Sequence, residues 1–158
     1  MSVKSQENNM RRLAELLSQD FGYIWGERES GPNGARKTFL HLGKVFLRAL
    51  SKDLGLRDAQ IKSNPCGIAV SGDCSLIGMW ENGGIYVNLS QPCCDKERVL
   101  LYRTVRNIRD YSGGRNNILT VKDLRKLSYS ELLERFGALR KEGGFHGRRD
   151  SDQHDWAA

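Results

Sequence analysis

At about residue 59 the hydrophobic pattern changes period, from one near 3.6 residues to one near 2, and few small architectures accommodate that switch. Upstream, Leu13, Leu16, Leu17 and Phe21 recur at helical spacing, with Arg11, Arg12, Glu15 and Gln19 on the opposite side. That pattern predicts an amphipathic helix over residues 10–24. Residues 26–34 hold Pro32, Asn33 and several glycines, so they read as a loop. A second helix is expected over residues 38–54, from Phe39, Leu42, Val45, Phe46, Ala49 and Leu50 against Lys44, Arg48 and Lys52. Gly55 suits its C-terminus.

Downstream, residues 60–64 read as a strand, 64–67 as a β-turn, and 68–80 as a long strand interrupted near Ser71-Gly72-Asp73 by a bulge or a second turn. Asn82-Gly83 is placed at a hairpin turn, because Asn and Gly tolerate positive φ angles. Ile85, Val87 and Leu89 then fall on one face of a strand and Tyr86, Asn88 and Ser90 on the other, with Pro92 ending it. Residues 98–107 are a further strand, with helix as the alternative, and 110–117 are turn-like. Thr120 with Asp123 resembles a capping box, and Leu132, Leu133, Phe136 and Leu139 give a helix over 128–140.

The expected class is therefore α+β: an antiparallel β-meander of three to five strands, flanked by two N-terminal helices and one or two C-terminal helices. Helices on one sheet face leave the other for solvent or a partner. Residues 1–9 are expected to be flexible, 10–142 to form one domain, and 143–158 to be a disordered tail without an apolar pattern.

A chain of 158 residues is long enough to bury one substantial core. Its 25 basic against 19 acidic residues give a net charge of +6, which favours nucleic acid or acidic proteins as partners. Neither a secretory leader nor an apolar run of membrane-spanning length is legible, so no membrane partner is expected. Cys66, Cys74, Cys93 and Cys94 form no spaced C-x-x-C pair, which points to reduced thiols in a cytoplasmic protein. A zinc site would require the sheet to bring Cys66 and Cys74 beside Cys93 and Cys94, whereas small buried residues are the plainer reading.

Catalytic signatures are weak. Residues 31–38 approximate the phosphate-cradling pattern G-x-x-x-x-G-K-[ST], but Arg36 stands where glycine should precede Lys37. His41 lies in the second helix, while His146 and His154 lie in the tail, so no Ser-His-Asp or Cys-His set can be assembled. Asp73, Glu81 and Glu97 sit near strand ends without a spacing that pairs them. A binding protein without metal or cofactor is expected rather than an enzyme.

The remaining signal is charge. Arg98, Arg103, Arg106, Arg109, Arg115, Lys122, Arg125 and Lys126 face only Asp110 and Asp123, interleaved with Tyr102 and Tyr111 and broken by Gly113-Gly114. In a strand, Arg106 would share a face with Tyr102 and Thr104, and Arg103 would share the other with Leu101 and Val105. Arginine gives bidentate contacts to phosphate or carboxylate, and tyrosine stacks on bases. Tyr102, Arg103, Arg106, Arg109, Tyr111 and Arg115 are therefore the candidate binding residues, the last three in a glycine-containing loop that wraps a phosphate backbone. Nucleic acid, RNA or DNA, is the first expected partner. The alternative is an acidic protein surface, met by a small accessory adaptor or inhibitor of phage or plasmid type.

Overall fold

In the computed structural model the chain is described over residues 2–19, 21, 34–65, 70–92, 97–109 and 113–141. Two helices, α1 (Val3–Leu17) and α2 (Ala35–Asp53), precede β1 (Arg57–Asn64), β2 (Val70–Trp80), β3 (Gly83–Pro92), β4 (Arg98–Val105) and β5 (Asn117–Thr120). Helices α3 (Val121–Lys126) and α4 (Tyr129–Lys141) follow. The strands form one antiparallel sheet in the order β1-β2-β3-β4-β5. This is the expected α+β meander with helices at both ends of the chain.

Helix α1 starts earlier and stops earlier than the periodicity predicts. Residues 3–9, expected to be flexible, form its first turns: Ser2 caps them by accepting from the Ser5 N–H, and fully buried Gln6 donates to the Phe46 carbonyl. A buried amide that finds a backbone acceptor joins a core as well as a leucine does, yet it carries no hydrophobic signal. Arg11, assigned to the solvent side, donates to the Leu124 and Leu127 carbonyls at 2.8 and 2.7 Å and so ties α1 to the end of α3. Helix α2 closes at Gly55, whose N–H bonds to Lys52 O while Leu56 N–H bonds to Ser51 O, the paired arrangement of a Schellman motif.

The hairpin between β2 and β3 is present, displaced by one residue. Its two-residue loop is Glu81-Asn82, Trp80 pairs with Gly83, and the positive φ falls on Gly83 (127°) rather than on Asn82. The interruption near Gly72 is a register shift between Val70 and Asp73 within one strand, not a second turn. Edge strand β1 carries its own irregularity, a register shift between Arg57 and Gln60 with Asp58 at φ 56°. A kinked, polar edge resists pairing with another sheet.

Among the described residues all four helices lie on one side of the sheet. Cys74, Leu76 and Trp80 of β2, Ile85, Val87 and Leu89 of β3, and Leu100 and Tyr102 of β4 face them and are buried. Trp80 donates its indole N–H to Leu54 O, and the Tyr102 ring meets Phe136 of α4 at 4.4 Å between centroids. Strand β5 was legible only as the end of a turn-like stretch. It extends the sheet by four residues, burying Leu119 opposite Leu100. The capping box is realised: Thr120 Oγ1 accepts from the Asp123 N–H and the Asp123 carboxylate accepts from the Thr120 N–H. Ser128 and Glu131 repeat that exchange at the start of α4. The tail expected over 143–158 lies outside the described residues.

Candidate nucleic-acid interface

The face turned away from the helices is built by the alternate residues of the same strands. Register places Lys62 opposite Ser75, Ser75 opposite Asn88, and Asn88 opposite Leu101. One pair further along, Ile77 lies opposite Tyr86 and Tyr86 opposite Arg103. Directly opposed side chains on one face sit about 5 Å apart, close enough to interact. The Arg103 guanidinium accordingly lies over the Tyr86 ring, 4.7 Å from its centroid, a cation–π contact.

A line of polar groups crosses the strands from that pair. Asn88 Nδ2 donates to the Tyr86 hydroxyl at 3.2 Å and to Asp73 Oδ2 at 3.0 Å. Asn64 Nδ2 donates to Asp73 Oδ1 at 3.0 Å. On the other side, Arg103 donates to Asn116 Oδ1 at 3.1 Å. Strands β1 to β4 and the residue before β5 are thus joined across this face by side chains that remain half-buried or exposed. Met79, Leu101 and Ile118 supply apolar area between them.

The candidate residues named from sequence part company here. Tyr102 is 8 % exposed and stacked on Phe136, so it is a core residue and presents no ring to a partner. Its pairing with Val87, which faces the helices, decides this. Arg103 stands on the helix-free face, as the strand reading had it. Arg106 lies beyond the last residue of β4 and does not share a strand face with Tyr102 and Thr104. Arg106, Arg109 and Arg115 are exposed, whereas Tyr111 lies outside the described residues.

The basic stretch is not one patch. Strand β4 carries the chain roughly 25 Å from Arg98 to Arg106 at ~3.3 Å per residue, and β5 returns it so that Thr120 pairs with Arg98. Arg103, Arg106, Arg109 and Arg115 consequently gather toward one end of the sheet, while Arg98 and the α3 residues Lys122, Arg125 and Lys126 belong to the other. Arg125 donates to Ser18 Oγ there.

Gly113 and Gly114 serve close approach rather than a hinge. The Gly114 N–H bonds to Thr104 O at 2.8 Å, and a Cβ on Gly113 would overlap that same carbonyl oxygen. The segment leading into β5 is therefore pressed against β4, which holds Arg115 and Asn116 beside Arg103.

The other chemical candidates resolve into structure. Cys74 packs its sulfur against Gly43 of α2, and burial, with the neighbouring Asp73 carboxylate, pushes its thiol up to about 12. There its Sγ–H donates to the Leu40 carbonyl at 3.5 Å. Among the described residues no group of three or more His, Cys, Asp or Glu side chains is placed to hold a metal ion. Cys66, Cys93 and Cys94 lie outside those residues. Arg36, the residue that spoils the phosphate-loop pattern, is 1 % exposed and donates to the Phe21 carbonyl, whose own N–H donates to Gln91 Oε1. Gln91 completes this buried knot by donating to the Leu17 and Gln19 carbonyls. Arg36 therefore joins α2 to the chain leaving α1. Glu81 pairs with Arg140 of α4 at 2.5 Å; its own backbone N–H, then that guanidinium, hold the carboxyl below its usual range.

No known protein family, curated protein or solved structure matches this chain. Among the described residues no helix is long and apolar enough to cross a membrane.

Proposed function

We propose that the protein is a nucleic-acid-binding protein, without catalytic activity of its own, that works in the cytoplasm. The single observation behind this reading is the gathering of Arg103, Arg106, Arg109 and Arg115 at one end of a helix-free sheet face, around an arginine-covered tyrosine. A guanidinium group matches the geometry of a phosphate through paired N–H donors, and the net charge of +6 steers a polyanion toward these arginines. Asn116, bonded to Arg103, and Asn88, bonded to Tyr86, offer neutral donors and acceptors beside those charges. No cofactor or metal enters this reading.

Co-purification tests it. The full chain, isolated in low salt, should carry nucleic acid that nuclease digestion removes and that rising salt releases progressively. The same guanidinium groups also fit carboxylates. A protein partner that stays bound after nuclease treatment, with no nucleic acid recovered before it, would replace this reading with that of an accessory adaptor or inhibitor docked on an acidic surface.

A further inference from the structure

We infer that the helix-free face takes single-stranded nucleic acid, with one base stacked on the Arg103–Tyr86 pair. This rests on the proposed nucleic-acid reading and narrows its ligand. Three features of the face carry it.

The first is an aromatic–cation pair. The Arg103 guanidinium lies over the Tyr86 ring, 4.7 Å from its centroid, so two groups able to stack on a base stand together on β3 and β4. A guanidinium plane already seated on an aromatic is itself a platform for an unstacked base. Bases within a duplex are stacked on one another and expose only their edges, so such a platform is useful only to a single strand.

The second is the polar line beside the stack. Asn88, Asp73 and Asn64 extend across β3, β2 and β1 at the level of a base edge, and each amide keeps its carbonyl as an acceptor while its Nδ2 is committed. The Asp73 carboxylate receives two amide donors, which tempers its charge toward a polyanion. Met79, Leu101 and Ile118, all half-buried, supply apolar area on the face, while Ile77, opposite Tyr86 and only 4 % exposed, is covered.

The third is where the charge lies. Exposed Arg106, Arg109 and Arg115 flank the stack at the end of β4 and the start of β5, and Lys62 stands on the far strand. A backbone entering past the arginines and leaving toward Lys62 would cross the strands, with its bases turned down onto the sheet. A duplex resting on the same rim would meet the arginines without using the stack.

Fluorescence anisotropy of the full chain with a short labelled RNA, tried as a single strand and as its duplex, tests this directly. Tighter binding to the single strand is expected. Tyr86→Ala removes the aromatic ring, and Arg103→Lys keeps the charge but loses the plane. Each should weaken single-strand binding by about 5- to 150-fold, the range for losing one stacked base, and weaken duplex binding far less. Arg103→Lys alone decides the matter if the tyrosine variant loses its thermal transition. Equal affinity for duplex and single strand, or single-strand binding indifferent to Arg103→Lys, overturns the inference while the broader nucleic-acid reading survives. Absence of binding to every probe overturns both.

Discussion

Tyr86 and Tyr102 stand on neighbouring strands of one sheet, and they do opposite work. Tyr102 faces the helices, packs on Phe136 and belongs to the core; Tyr86 faces away, under Arg103, and belongs to the surface. The side chains on the helix-covered face are mostly apolar and fully buried, whereas those opposite include amides, a carboxylate, an arginine and a tyrosine linked to one another. Residue type does not distinguish the two tyrosines. Strand parity does, because successive side chains point to opposite faces. A sheet with one face committed to folding can give the other to binding.

Cutting away the core side separates folding from binding. Phe136→Ala removes the ring that meets Tyr102 and should cost about 3–5 kcal/mol of stability, read from the urea midpoint. Binding per folded molecule should not change, since Phe136 packs on Tyr102, whose side chain lies on the helix-covered face. Loss of affinity without loss of stability would show that the two faces are not separable.

Gly113→Ala tests how the arginine end is held. An added methyl meets the Thr104 backbone, so the segment before β5 must move, at about 1–3 kcal/mol for overpacking. Arg115 and Asn116 would shift with it, and affinity should fall together with stability. A neutral outcome would mean that this stretch tolerates displacement and does not fix the site.

The helix-covered face should also announce itself at high pH. Burial raises the Cys74 thiol from 9.0 to about 12, and burial followed by the Asp53 hydrogen bond raises Tyr129 in the same direction. A raised folded-state pKa means that the unfolded chain releases its proton first. The stability contributed by the neutral thiol is thus complete below pH 9 and is lost as pH rises toward 12. Denaturation midpoints should decline across that window, less so in Cys74→Ala and Tyr129→Phe. A midpoint with the same pH profile in both variants would contradict the burial of these groups.

Much of this was legible along the chain, and what was not shares a cause. The alternation at Ile85, Val87 and Leu89 reports burial because those side chains meet a helix layer, and Gly55 and Thr120–Asp123 report helix ends because capping is local chemistry. Gln6 and Arg36 escaped because a polar side chain is buried only when distant carbonyls, Phe46 and Phe21, accept from it. Strand β5 escaped because four residues are too few for a period. The site was half visible. Arginine density marked Arg103, Arg106, Arg109 and Arg115, but Tyr86, Asn88, Asp73 and Asn64 come together only through cross-strand register. The alternation that put Tyr86 opposite Val87 could have flagged it once the other face was known to be free of helices.

The most direct measurement of the central claim is the salt dependence of single-strand binding, compared between the parent chain and Arg106→Ala/Arg109→Ala/Arg115→Ala. All three side chains are exposed, so the stability cost should be small, within ~0.5 kcal/mol per site. With each lost phosphate contact lowering the slope of log K against log salt by ~0.7, the triple variant should bind more weakly, with a slope shallower by about 2. A folded triple variant with unchanged affinity and unchanged slope would contradict the account and leave these arginines as a solvated rim.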